Sequence, residues 1–176
     1  MRRGTTTGAL VLAAMAIAAP AAMAATINGT SGDDSLNGTK FDDQIVAGAG
    51  NDQVRASSGK DHVRGGSGND TIQGWRGGDV LLGGRGQDIL FGQEQNDKIH
   101  GGPAGDAIYP GTGGDRVFGD SGPDLVFVKP DGKRDIVDCG TGRDTVYVFY
   151  NQRERADRFR GCERFVTWTP LDRVDA

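Results

Sequence analysis

Eleven aspartates recur at an unbroken interval of nine residues: Asp34, Asp43, Asp52, Asp61, Asp70, Asp79, Asp88, Asp97, Asp106, Asp115 and Asp124. Carboxylates repeated at a fixed interval after glycine-rich backbone suit the ligation of a hard cation by oxygen. Two residues after each aspartate stands an aliphatic side chain: Leu36, Ile45, Val54, Val63, Ile72, Leu81, Leu90, Ile99, Ile108, Val117 and Val126. A constant period of this kind marks a repeat architecture. Each unit offers one oxygen ligand and one core plug in a single phase.

The elements that position these groups follow from the spacing. The repeat is G-G-x-G-x-D-x-U-x with U aliphatic, running from Gly29–Asn37 to Gly119–Phe127. Thirty glycines in 176 residues concentrate ahead of each aspartate, as in Gly65-Gly66-Ser67-Gly68-Asn69-Asp70. Such a run fits backbone with positive φ and close approach of neighbouring chain. Each unit reads as a six-residue turn and a three-residue strand, too short for hairpin pairing. Winding as a flattened right-handed coil with two repeats per turn places repeat n about 4.8 Å from repeat n+2. The expected fold is an all-β parallel β-roll, a right-handed β-solenoid, with two sheets of five or six strands and the aliphatic residues between them.

Stacking also places like charges on one another. Two carboxylates about 4.8 Å apart repel by about 0.9 kcal/mol even at the dielectric constant of water. A divalent ion between successive turns reverses the sign of that interaction. An all-oxygen, flexible cage selects calcium over zinc or copper. The two histidines, His62 and His100, are far apart in sequence, so no histidine cluster competes.

The nonapeptides Gly65–Gln73 and Gly83–Phe91 resemble those of RTX, or hemolysin-type calcium-binding, repeat proteins, and the resemblance covers residues 29–127. It implies several calcium ions per chain, each between the turns of repeats n and n+2. The implied ligands are the sixth-position aspartates named above and carbonyls of turns, such as those of Gly65, Ser67, Gly83 and Arg85. The chain departs from that family in showing a cleavable N-terminal signal in place of an uncleaved C-terminal one. No toxin, protease or lipase domain is expected ahead of the repeats.

The two turn edges differ. One carries Asp34, Asp52, Asp70, Asp88, Asp106 and Asp124, with turns such as AGAGND, GGSGND and GGRGQD. The other carries Asp43, Asp61, Asp79, Asp97 and Asp115, and there Phe41, Trp75 and Gln95 replace glycines. Side chains at those points strain or block a turn. The first edge is therefore expected to bind calcium more tightly, most strongly around Asp52, Asp70 and Asp88. For any one aspartate the alternative is a capped turn without metal.

Residues 1–24 read as a secretory signal: basic Arg2 and Arg3, an apolar run Ala9–Ala19, and the small-x-small site Ala22-Met23-Ala24. The run is short for a membrane span. The Arg pair lacks the rest of a twin-arginine signature, and the choice between general and twin-arginine export stays open. Losing both arginines takes the formal charge of −4 to about −6, which disfavours nucleic acid as a partner. Residues 25–28 form an N-terminal edge. After Phe127 the phase breaks at Pro130-Asp131-Gly132, and Asp135 comes two residues late. A worn unit, Cys139–Tyr147, follows. Residues 128–176 read as an irregular C-terminal cap with one or two strands, tied by a Cys139–Cys162 disulfide, as an oxidising compartment favours. A reactive thiol pair is the alternative.

Other candidates are weaker. Gly119-Asp120-Ser121-Gly122-Pro123 resembles a serine-protease nucleophile segment but falls in phase with the repeat, and no HExxH or GxSxG motif occurs. His62 and His100 are expected to face outward from strands. Asn28, Asn37 and Asn69 head N-x-[ST] sequences that the repeat composition explains. Ile89, Phe91, Ala107, Tyr109, Leu125 and Phe127 make an outward apolar stripe, covered by the C-terminal tail or used as a partner or self-association surface. Arg153, Arg155, Arg158 and Arg160 read as a solvated face, with anionic surface polymers as the alternative ligand. The chain reads as a secreted, non-enzymatic calcium-binding protein; the alternative is a cell-surface adhesin or interaction module with calcium purely structural.

Overall fold

The computed structural model describes residues 24–149 and 157–168. Residues 1–23 of the expected signal, together with Arg153 and Arg155, lie outside that range. Sixteen strands, numbered in chain order, form two parallel sheets of eight among the described residues. The odd sheet holds β1 (Thr26–Asn28), β3 (Gln44–Ala49), β5 (His62–Ser67), β7 (Val80–Arg85), β9 (Lys98–Pro103), β11 (Arg116–Ser121), β13 (Ile136–Asp138) and β15 (Arg158–Arg160). The even sheet holds β2 (Ser35–Asn37), β4 (Gln53–Ser58), β6 (Thr71–Arg76), β8 (Ile89–Glu94), β10 (Ala107–Thr112), β12 (Leu125–Val128), β14 (Thr145–Phe149) and β16 (Arg164–Trp168). The chain alternates between sheets at every repeat, so each coil takes two repeats. No described helix is long and apolar enough to cross a membrane.

Register follows the aliphatic position. Ile45 pairs with Val63, Val63 with Leu81, and Leu81 with Ile99. Along each strand the burial alternates, as the two-residue period of extended chain requires. The inward residues Ile45, Val54, Val63, Ile72, Leu81, Leu90, Ile99, Ile108, Val117 and Val126 are all buried, and Leu36 packs against them from the open end.

Two features differ from the sequence expectation. Strands β3 to β11 have six residues, not three, because the first half of each turn also pairs in register: Gly48 with Gly66 and Ala49 with Ser67. The ladder thus bends through the turn instead of stopping at it. In addition, four strands follow Phe127 where one or two irregular ones were expected. Val117 pairs with Val137, Val126 with Val146, Val137 with Phe159 and Val146 with Phe165. The residues that break the nine-residue period are accommodated in loops such as 129–135, and the strands beyond regain their places.

Cys139 and Cys162 form a disulfide with Cα atoms 5.2 Å apart, joining the end of β13 to the turn between β15 and β16. Closing a loop of this length constrains the unfolded chain by about 3 kcal/mol. It secures the last coils, where the spacing is least regular.

The outward stripe lies where expected on the even sheet and extends one strand further. Phe91, Tyr109, Phe127 and Tyr147 stack face to face, with ring centroids 4.8, 4.4 and 4.7 Å apart. Ile89 and Leu125 beside them are exposed. Strand β16 extends the same sheet and does not lie across the stripe; residues 150–156 and 169–176 lie outside the described range.

Leu81 is wholly buried, whereas Ile89 stands at the outer surface. Leu81→Ala is expected to lower stability by about 2–5 kcal/mol, and Ile89→Ala by about 0.5 kcal/mol or less. Denaturant unfolding of both variants at one calcium concentration checks the inward and outward assignments.

Candidate metal centres along the turn edges

The turn conformation arises from its second and fourth residues. In the turn from Gly65 to Asp70 these are Gly66 and Gly68, both with φ of 121°. A side-chain carbon at Gly66 would lie 2.0 Å from the Gly48 carbonyl oxygen of the previous rung, so close stacking also requires glycine there. Trp75, at φ 75°, and Gln95, at φ 76°, hold this left-handed conformation with full side chains, as do Ser57, Gln93, Ala104 and Asp120. Such residues cost roughly 1–3 kcal/mol each. The strain expected for Trp75 and Gln95 is therefore present. Phe41 differs: it is not among the positive-φ residues, and its amide donates to the Thr39 hydroxyl at 3.2 Å in a side-chain-closed turn.

Each turn delivers its aspartate to the interior. Asp43, Asp52, Asp61, Asp70, Asp79, Asp88, Asp97, Asp106, Asp115 and Asp124 are all buried, and Asp34 is half-buried. One carboxylate oxygen in each buried residue has a fixed task. The amide of Asp52 donates to Oδ1 of Asp70 at 2.9 Å, that of Asp70 to Asp88 at 2.8 Å, and that of Asp88 to Asp106 at 2.8 Å. The same relay links Asp61, Asp79, Asp97 and Asp115 on the other edge. The aspartates thus join rung to rung whatever else they bind.

The second oxygen is different. Oδ2 of Asp52, Asp61, Asp70, Asp79, Asp88, Asp97, Asp106, Asp115, Asp124 and Asp144 is buried with no hydrogen-bond partner. A buried, unpaired carboxylate oxygen is costly unless a cation or donor meets it. In the turn that begins at Gly83, Oδ2 of Asp88 and the carbonyl oxygen of Gly101 on the next rung both face the Gly83 α-carbon. A side-chain carbon there would lie 2.4 and 2.6 Å from them. The same pairing of Asp70 with the Gly83 carbonyl occurs over Gly65. Over Gly65 and Gly83, carboxylate and carbonyl oxygens from adjacent rungs therefore converge where a side-chain carbon would not fit. Ala47, Ala56 and Pro110 stand at the equivalent first position in the turns of Asp52, Asp61 and Asp115.

The carbonyls of Ser67 and Arg85 each accept an amide hydrogen bond from the previous rung, from Gly50 at 2.9 Å and Gly68 at 2.8 Å. A carbonyl retains a second lone pair after one such bond. Among the described residues no three His, Cys, Asp or Glu side chains converge on one point. A cation here must draw most of its ligands from backbone oxygen, which suits calcium and disfavours zinc or copper. The donor set present fits calcium.

The first coil stands apart. Both the amide and hydroxyl of Thr30 donate to Oδ2 of Asp34, at 2.6 and 2.9 Å. The Thr39 amide donates to Oδ2 of Asp43 at 2.6 Å, and its hydroxyl to Oδ1 at 3.1 Å. Asp34 and Asp43 close their own turns with oxygens that are unpartnered further along the columns.

The columns also run further than the nine-residue count. Asp115 donates its amide to Asp135, Asp135 to Asp157, Asp124 to Asp144, and Asp144 to Glu163. These residues escape a search at fixed spacing because the intervals are 20, 22, 20 and 19. A second ladder was also missed: amides of Asn51, Asn69 and Gln87 donate backward to Asp33, Asn51 and Asn69 side chains at 2.7–2.9 Å. Its signal is the polar residue just before Asp34, Asp52, Asp70 and Asp88.

Burial raises the carboxylates first; the accepted amide bond pulls them back, and neighbouring carboxylates push them up again. Asp97 reaches about 8, and Asp61, Asp106, Asp124 and Asp135 about 7. Asp88 and Asp115 reach about 6. Asp52, Asp70, Asp79 and Asp144 are raised as well.

Among the remaining candidates, His62 is exposed on β5. His100 is half-buried, not simply solvated: its ring stacks on Phe118 at 4.4 Å, and Nδ1 lies 3.1 Å from Oδ2 of Asp120. Arg158 and Arg160 are exposed.

A profile of the RTX calcium-binding nonapeptide repeat matches the sequence in four overlapping copies, at residues 28–63, 55–90, 82–117 and 109–127. Together these span more than half of the 176 residues. No curated protein matches the chain.

The raised carboxylates set a pH dependence. In the unfolded chain they ionise near 3.8; in the metal-free coil several do so near 6 to 8. The metal-free coil therefore binds more protons in that window, and its stability falls as pH rises from about 4 to 8. Calcium competes with those protons, so its affinity rises over the same range. Calcium titrations followed by circular dichroism at pH 5, 6, 7 and 8 are expected to show a midpoint that falls steadily with pH; a flat midpoint contradicts the assignment.

Proposed function

Because the chain belongs to the RTX calcium-binding nonapeptide repeat family, we propose that it is an exported, non-enzymatic protein whose β-roll folds around calcium held between stacked turns. The observation that carries this reading is the set of ten buried, unpartnered Oδ2 atoms. Bound calcium supplies the positive charge that such oxygens lack. The chain's own groups do the rest. Gly66 and Gly68 let the turn close, Oδ1 of each of the ten aspartates holds the preceding rung in register, and Oδ2 and the facing carbonyls remain available for the ion.

A ligand that binds only the folded state stabilises it by mass action. Where calcium is scarce, as in a cytosol, the carboxylate columns oppose folding and the chain stays export-competent. Where calcium is plentiful, the same columns drive folding. The apolar run and Ala22-Met23-Ala24 support export. Circular dichroism with and without calcium is expected to show β structure forming on addition of the ion; an unchanged β signal contradicts the proposal.

The edges should differ in strength. The turn of Asp70 has glycine at its first, second and fourth positions, whereas that of Asp61 has Ala56 and the strained Ser57. Asp70→Ala is expected to reduce bound calcium more than Asp61→Ala; equal losses refute the ranking.

One observation favours a second reading, a cell-surface or self-association module with calcium structural. The stacked Phe91, Tyr109, Phe127 and Tyr147 adjoin a recess of about 450 Å³ lined by Tyr109, Phe127, Lys129, Pro130 and Phe149. Retention on cell-wall material, lost on replacement of Phe91 and Tyr109 by serine, supports that reading; no retention counts against it.

A further inference from the structure

The head of the second carboxylate column has a partner of a different kind. At Asp61, Asp79, Asp97 and Asp115 below it, Oδ1 accepts the amide of the aspartate eighteen residues earlier. No aspartate precedes Asp43 at that interval. The place is taken by Ala25, whose backbone nitrogen donates to Oδ1 of Asp43 at 2.6 Å. Asp43 is only 1% exposed. Its other donors are the amide and hydroxyl of Thr39, both neutral. The carboxylate is thus fully hydrogen-bonded, and no cationic group is among these partners.

Ala25 is also the residue that follows the small-x-small sequence Ala22-Met23-Ala24. We propose that cleavage between Ala24 and Ala25 converts this hydrogen bond into a half-buried ion pair, with the new α-ammonium of Ala25 as the cation that closes the Asp43 column. This rests on the reading of the chain as exported and processed. The chemistry is peptide hydrolysis by a signal-removing protease. Water's hydroxyl goes to the Ala24 carbonyl carbon as the C–N bond breaks. The Ala25 nitrogen takes water's hydrogen and one further proton, leaving a carboxylate on one product and an ammonium on the other.

The position is specific. Cleavage one residue earlier places the charge beyond the Asp43 oxygen, and cleavage one residue later removes the nitrogen that reaches it. A neutral amide donor becomes a charged one without movement of the chain, and charge-assisted hydrogen bonds are roughly twice as strong as neutral ones. Processing therefore stabilises the folded coil as well as releasing it. The unprocessed chain lacks that contribution, in keeping with a precursor that folds less readily before export.

The test compares three forms of the chain ending at Ala176: one starting at Ala25 with a free amine, the same chain Nα-acetylated, and one starting at Ala24. Thermal unfolding is followed at neutral pH and one fixed calcium concentration. The free-amine Ala25 form is expected to favour folding by about tenfold over both others, a rise of about 3–5 °C in Tm. In the Asp43→Asn background the advantage should vanish. Equal melting of the three forms overturns the ion pair, and that comparison decides even if Asp43→Asn fails to fold. N-terminal sequencing of the exported protein separates this from the parent reading. A start at Ala-Thr-Ile-Asn supports processing at Ala24, and any other start overturns it, whatever the melting curves show.

Discussion

Ten buried aspartates make a divided use of the carboxylate, and the coil depends on that division. One oxygen accepts the amide of the aspartate a coil earlier, as Asp88 does from Asp70 at 2.8 Å. That bond aligns successive turns and leaves the second oxygen buried and unpaired. The geometry that builds the solenoid is the same geometry that makes it unstable without positive charge. Burial moves the carboxylates toward the protonated form, to about 8 for Asp97, and neighbouring rungs reinforce the shift. Calcium and protons are alternative remedies for one electrostatic problem.

The rest of the structure allows the rungs to approach closely enough for this problem to arise. The core is one file of aliphatic side chains from each sheet, with little apolar depth. Stability must come largely from the repeated backbone ladder and from whatever occupies the turn edges. Glycine at the second and fourth turn positions permits the left-handed backbone and the contact with the previous rung. Where Trp75, Gln93 or Gln95 stands instead, the turn keeps its shape at a cost, so the two edges have unequal reserves. The disulfide Cys139–Cys162 acts at the end where the spacing loosens.

Much of this was legible in the residues. The nine-residue phase of aspartate and aliphatic positions specifies two sheets, the inward row and the turn edges, because stacking admits one register. The strain at Trp75 and Gln95 was readable from lost glycines. Less legible were features that depend on space and not on count. Asp135, Asp144, Asp157 and Glu163 continue the columns although loops of varying length intervene, because a parallel ladder constrains where a strand lies and not how the chain reaches it. The full hydrogen bonding of Asp43 came from Thr39 and Ala25, residues of ordinary type whose role depends on being first in the stack. His100 was expected to be simply outward; its stack with Phe118 reflects a neighbour eighteen residues on that a single strand does not reveal.

The central claim is that buried carboxylate oxygens between adjacent rungs require divalent cations. The most direct measurement is the number of calcium ions per chain, by elemental analysis of folded protein dialysed to equilibrium in dilute calcium. Several ions per chain are the expected result. A fully β-structured protein that retains none contradicts the account.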